Sequence, residues 1–386
     1  MAGIDGERQR PALGIVADDL TGAGDSAVKF AEAGWTCEIA LADVPALAPG
    51  TAVALVTDAR SMSDADASGR TRAAVETLAN SGTDLQYLKI DSTLRGTVSA
   101  QIGGALEALS ARAPDAFALV CPAYPAMGRT VECGRLLVHG EAAVGRHGEA
   151  PAVPGAVSVT LGDAAPAREA DRLRALARES RVLLLDAASD ADLDRVAAVA
   201  EELGPSVLLV GSAGLAAALA RRHAGCSVAP GAPTALQTRS AEGGSIVVAV
   251  SSTHPVSASQ VAALGSHVVV ITAPAEDVLV DGVRSERAAA ANVAEAVEVA
   301  LAAGGVRALV LVGGDGALAV LARLGAHGVR VGSAVVEGVP AGTVRGGALD
   351  GLTVVTKSGG FGHPGTLRDV IDRLEASDHP MKKRTE

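Results

Sequence analysis

Along the first 226 residues, short apolar runs alternate with longer segments whose apolar residues recur every three or four positions. That alternation is the pattern of parallel βα units, in which strands are buried on both faces and helices on one. It predicts strands at 12–17, 36–41, 52–57, 85–90, 116–121, 181–186 and 206–210. Helices fall at 24–33, 64–80, 97–111, 165–180, 190–203 and 213–223, with Gly34 placed to cap the first of them. Residues 227–244 break the periodicity with glycine, proline and small polar residues and read as a linker. Beyond it, strands at 245–250, 267–272, 307–312 and 352–356 and helices at 255–264, 285–303, 316–324 and 364–376 form a second, smaller unit. The expected architecture is α/β in two domains, 1–226 and 245–386, each a mostly parallel sheet flanked by helices.

Two strand ends carry more polar chemistry than a fold requires. In LGIVADDLTGAGDSAVKF, residues 13–30, a strand runs into Asp18 and Asp19, a Thr-Gly-Ala-Gly turn, Asp25 and a helix. Ligands of open α/β sheets bind at strand ends, and helix starts attract anions. Asp19 and Asp25 suit either a metal ion or a helix cap. In YLKIDSTLRG, residues 87–96, Lys89 and Arg95 can grip a carboxylate or phosphate, and Asp91 can accept from a hydroxyl. Ser92 and Thr93 suit a cap on the following helix. Only five of the 33 basic residues are lysines, and two of these, Lys382 and Lys383, lie in the tail. Lys89 and Lys357 both sit in glycine-bearing loops, where a compact ammonium serves a phosphate better than a guanidinium does.

Composition narrows the partners. Hydrophobic content of 48% with 2% aromatic means cores of alanine, valine and leucine. A net charge of -11 opposes binding to nucleic acid or to an anionic membrane surface. Small anions need only local positive charge, which Arg60, Lys89, Arg95, Arg129 and Lys357 offer from candidate loops. Cysteines 37, 121, 133 and 226 show no CxxC pair or metal spacing and read as reduced thiols. The N-terminal MAGIDGERQRPAL has no apolar core, and no stretch reads as a membrane span, so the cytoplasm is the expected compartment. No GxGxxG follows a strand, which argues against a dinucleotide dehydrogenase.

Four blocks in this order, ADDLTGAGD, KIDSTLRG, CPAYPAMGRT and KSGGFG, resemble the four-carbon acid sugar kinase family over about residues 12 to 372. The resemblance implies an N-terminal domain for a sugar acid such as threonate, erythronate or 3-oxo-tetronate, a C-terminal domain for ATP with Mg²⁺, and an active site in the cleft between them. It implies that Arg60, Lys89 and Arg95 hold the acid, with Asp18, Asp19, Asp91, Ser92 and Arg129 lining its site. Asp91 or Asp18 is then the base that orients the attacking hydroxyl, and the metal ligands stay open. For the nucleotide it implies Ser252, the Gly313, Gly314, Asp315 and Gly316 turn, and the Lys357, Ser358, Gly359 and Gly360 loop. The chain departs from the family pattern at Ser251, where glycine is usual, at Asp315 and Gly316, where Glu-Thr is commoner, and at Gly360, where asparagine is. Phe361 is expected to pack beneath its loop, and His254 to be a surface residue. The implied activity is ATP-dependent phosphorylation of the acid's terminal hydroxyl, with the acid and ATP as partners and a homo-oligomer left open. Two other readings stand beside it: a ribokinase-like sugar kinase using TGAGD, which chain order opposes, and a sensor that binds without turnover.

Overall fold

The structure, a computed structural model, describes residues 10–145, 148–224, 244–273, 279–280, 283–284 and 286–377. It divides into two compact units, Met1–Cys37 with Val44–Pro233 and Glu38–Asp43 with Thr234–Glu386. The expected linker lies outside the described residues except for Gly244.

The first unit follows the predicted alternation. Its elements are β1 (Leu13–Ala17), α1 (Leu20–Glu32), β2 (Thr36–Ala40), β3 (Thr51–Val56), α2 (Asp64–Asn80), β4 (Leu85–Lys89), α3 (Val98–Ser110) and β5 (Phe117–Cys121). There follow β6 (Arg129–Glu132), β7 (Arg135–Val138), β8 (Glu141–Ala142), β9 (Val157–Val159), α4 (Pro166–Leu176), β10 (Val182–Leu185), α5 (Asp190–Leu203), β11 (Val207–Gly211) and α6 (Ala213–Arg222). The sheet runs β3-β1-β4-β11-β5-β10-β9 with every one of these pairs parallel, and β2 lies beyond β3. Residues of β1, β5 and β11 are all buried, which is why they read as unbroken apolar runs. Because the chain goes from β1 to β3 on one side and then returns to β4 on the other, the loops after β1 and β4 flank a topological switch point.

The small antiparallel sheet β6-β7-β8 was not expected. Its first hairpin turns through Cys133 (φ 50°) and Gly134 (φ 71°), two positive φ values of the kind a tight hairpin requires.

In the second unit the elements are β12 (Ser245–Val250), α7 (Pro255–Ala262), β13 (Val269–Thr272), β14 (Leu279–Val280), β15 (Val283–Arg284) and α8 (Glu286–Ala302). Then come β16 (Val306–Val312), α9 (Gly314–Arg323), β17 (Gly328–Val336), β18 (Val339–Arg345), β19 (Thr353–Lys357) and α10 (Thr366–Ser377). The sheet order is β13-β12-β16-β19-β18-β17, the first four strands parallel and the last two antiparallel. Val248, Val310 and Val355 of the strands pack with Leu367, Val370 and Ile371 of α10 to make a core without large aromatics. A second switch point lies between β12 and β16. Among the described residues no helix is long and apolar enough to cross a membrane.

Candidate active site

At the first switch point, α1 begins at Leu20, four residues before the expected start. Asp19 is extended (φ -152°, ψ 163°) and its carboxylate accepts from the Gly22 amide at 2.8 Å and from the Thr21 hydroxyl at 2.8 Å. Asp19 is therefore the cap, and Asp25, expected as one, lies inside the helix. The Thr-Gly-Ala-Gly string is helix and not turn. Its Gly22 is needed for close approach, since a Cβ there would stand 2.5 Å from Asp19 Oδ1 and 2.8 Å from Lys89 Nζ.

Three carboxylates and three cations meet at this point. Arg60 donates from Nε and Nη2 to the two oxygens of Asp18 (2.9 and 2.7 Å) and from Nη1 to Asp19 (2.9 Å). Its Nη2 also lies 3.9 Å from Asp91 Oδ1. Arg95 forks onto Asp91 through Nε and Nη2 at 2.9 and 2.6 Å, and the Thr93 hydroxyl and amide donate to the same carboxylate. Lys89 Nζ donates to the Ile90 carbonyl at 3.0 Å. The turn carrying Asp91 is locked to the one carrying Arg60: the Thr97 hydroxyl donates to Ala59 O (2.7 Å), and Gly96 (φ 85°) leaves no room for a Cβ against Arg60. Ser92 and Thr93 do not cap α3, whose N-cap is Thr97.

Electrostatics separate the three acids. Asp18 is fully buried, and burial pushes its pKa up against the pull of Arg60. For Asp19, burial is outweighed by Arg60, Lys89 and the Thr21 and Gly22 bonds, which together lower it. Asp91 is held far below the usual range, because its bonds from Arg95 and Thr93 and the nearby Arg60 charge overcome burial. Arg60 is correspondingly held charged: burial opposes its charge, and Asp19 and Asp18 more than restore it. Of the cations, Arg95 has the most exposed side chain, at 54%.

Among the described residues, Arg129 makes no ion pair with this cluster. It opens β6, pairs with Tyr124 through the backbone, and donates from Nη1 to Met127 O at 2.5 Å.

At the second switch point three loops are stitched together. Ser251 N donates to Val312 O (3.0 Å) and Gly313 N to Lys357 O (2.9 Å). Gly313 (φ 107°) is the N-cap of α9, which begins at Gly314, so Asp315 and Gly316 belong to its first turn. A Cβ at Gly316 would stand 2.1 Å from Ser251 Oγ, and one at Gly359 1.8 Å from Ser252 Oγ. Serine at 251 and glycine at 316 are thus steric complements, which accounts for two departures from the expected pattern together. Lys357 is entirely buried, its Nζ donating to Ser358 O at 2.7 Å and Gly359 O at 3.5 Å, and burial lowers its pKa to about 8. His254 is exposed and caps α7, its Nδ1 accepting from Val256 N at 3.2 Å. Phe361 packs on the core and on Gly338, beneath its loop.

The structure thus brings together Asp18, Asp19, Arg60, Lys89, Asp91 and Arg95 in one unit, and Ser252, Gly313, Lys357 and Gly359 in the other. Thr97, Ser257 and Gln260 escaped the sequence reading, since single Ser, Thr or Gln residues carry no spacing signal of their own, while Thr93, expected as a helix cap, instead donates to Asp91. Among the described residues no group of three His, Cys, Asp or Glu side chains is arranged to hold a metal ion.

A sugar-binding N-terminal domain model matches residues 13–153 and 147–219, and a nucleotide-binding C-terminal domain model matches 256–367. D-threonate kinase of Bordetella bronchiseptica is 36% identical over 406 residues, covering 92% of this chain and 96% of that protein. A 3-oxo-tetronate kinase of Cupriavidus necator is 29% identical over 437 residues, covering 95% and 98%. A Salmonella typhimurium structure described as a putative tRNA synthase superimposes with a TM-score of 0.71 at 24% identity, over 95% of this chain and 99% of that one, which shows a shared fold. The chain belongs to the four-carbon acid sugar kinase family.

Proposed function

We propose that the protein transfers the γ-phosphoryl group of ATP to the terminal hydroxyl of a four-carbon sugar acid of the threonate, erythronate or 3-oxo-tetronate type. One observation carries this: Arg60, Lys89 and Arg95 converge on the first unit's switch point, the two arginines held by carboxylates and Lys89 by the Ile90 carbonyl. A small hydroxy acid needs such a site, a forked cation for its carboxylate and acceptors for its hydroxyls. The kinase relatives and the two matched domain models support the same reading over the ribokinase-like and sensor alternatives.

Within this reading Asp18 is a positioning residue, because it is fully buried and both its oxygens bind Arg60. Asp91, paired with the more exposed Arg95, orients the attacking hydroxyl. A strongly basic group is not required, since phosphoryl transfer proceeds through a loose transition state in which positioning and charge neutralisation dominate. In the second unit Ser252, the 313–316 turn and the 357–360 loop hold the phosphates through main-chain amides and the Lys357 ammonium. Mg²⁺ enters with ATP as the nucleotide's counter-ion, and so as part of the substrate.

Arg95→Met tests the assignment of the cations. Loss of one charge-assisted contact should raise KM for the acid about tenfold or more while leaving KM for ATP within twofold. An equal rise in both constants would contradict it.

A further inference from the structure

Polar side chains seldom go fully into a core unless their hydrogen bonds go with them. Ser257 and Gln260 of α7 are both completely buried, and the donors of both are spent on a single segment. The Ser257 hydroxyl donates to Gly359 O at 2.8 Å. The Gln260 Nε2 group donates to Phe361 O and to His363 O, each at 2.9 Å. Three main-chain carbonyls of the 358–363 loop are therefore held by one face of one helix.

We infer that Ser257 and Gln260 are positioning residues for nucleotide binding, fixing the 358–363 loop against the loop that begins α7. This rests on the nucleotide reading of the second unit. Gly359, Gly360 and Gly362 give the loop close approach to a ligand but little intrinsic order, so the order must come from outside. The same helix starts at the other loop, where Ser252 abuts Gly359 and His254 abuts Gly360. All three bonds consume carbonyl oxygens. None of them uses an amide hydrogen, the group a phosphate needs; of the loop's amides, Phe361 N donates to Ser358 O and His363 N to Thr366 Oγ1. Gln260 Oε1 is itself buried with no hydrogen-bond partner among the described residues. A leucine of similar volume would bury no orphaned acceptor and would hold no loop, so the amide's two donors account for its presence.

The test is calorimetric titration of the full chain with Mg²⁺-ATP alone, for the native protein, Ser257→Ala and Gln260→Glu, with melting temperatures measured without ligand. The inference predicts at least tenfold weaker ATP binding in each variant, melting within a few degrees of native for Ser257→Ala and, at low pH, for Gln260→Glu, and unchanged thermal stabilisation by D-threonate or 3-oxo-tetronate, whichever stabilises the native protein. Gln260→Glu should regain affinity relative to native as pH falls below about 6, because the protonated acid again donates one bond to the loop and the ionised one none. Native-like ATP binding by both variants overturns the inference. So does loss of ATP binding only in proportion to lost thermal stability, with no recovery at low pH. If the native protein itself fails to bind Mg²⁺-ATP, it is the nucleotide reading that falls, a result distinct from either of these.

Discussion

Gly22 is the position where one methyl group should separate site geometry from fold. A Cβ there meets the Asp19 cap oxygen and the Lys89 ammonium, not a packed core, so Gly22→Ala should displace Lys89 and loosen the cap at a cost of about 1 kcal/mol. Misplacing a binding group by about 1 Å can cost roughly 10²-fold in turnover. That drop in kcat/KM, far larger than the loss of a cap would bring, is the expected outcome. Lys357 supplies the pH dependence. Its folded pKa of about 8 lies below the ordinary 10.5, so the unfolded chain holds the extra proton between those values. Stability contributed by this group therefore rises with pH from about 8 to 10.5, and its buried charge costs stability below 8. ATP binding runs the other way, because only the protonated form attracts phosphate. The ATP dissociation constant should climb as pH passes about 8, and titrations of Lys357→Met should show no such climb.

At the scale of elements, caps and clamps decide where helices begin and end. Arg10 donates to Gly34 O after α1 (2.6 Å) and to His223 O and Ala224 O after α6 (3.1 and 3.2 Å), and lies 5.8 Å over the Trp35 ring. A guanidinium at two helix C-termini satisfies carbonyls that the helices leave unpaired. Arg10→Met should lower the stability of the first unit by about 2–3 kcal/mol in urea denaturation without changing KM for either substrate. Strand and helix positions were legible wherever buried periodicity was strong: α2, α5 and β12 fall on the expected residues. The start of α1 was not, because Gly22 and Gly24 read as turn residues while the Asp19 cap and the Lys89 contact that explain them are visible only in three dimensions. The β17–β18 hairpin was missed although Val336 and Val339 flank a two-residue Glu337-Gly338 turn, because its strands hold small residues in place of a clean alternation. The charged cluster was legible at its two junctions. The way Arg60 is held by Asp18 and Asp19 was not, since 42 and 41 positions separate the partners.

For the molecule as a whole, the sequence repeats one solution in two units: a mostly parallel sheet whose strand order reverses beside a loop rich in glycine or charge. The net charge of -11 sits on a chain whose site arginines are already paired with Asp18, Asp19 and Asp91, so an anionic substrate must be recognised by geometry and by Lys89, not by a general positive field. This favours a small acid whose carboxylate and hydroxyls match fixed partners. The most direct test of the kinase assignment is ADP release from Mg²⁺-ATP with D- and L-threonate, D- and L-erythronate and a 3-oxo-tetronate, with glycerate and ribose as controls. Turnover on a four-carbon acid, with none on ribose, is the predicted result; turnover on ribose alone, or on no member of the panel despite ligand-induced thermal stabilisation, would contradict it.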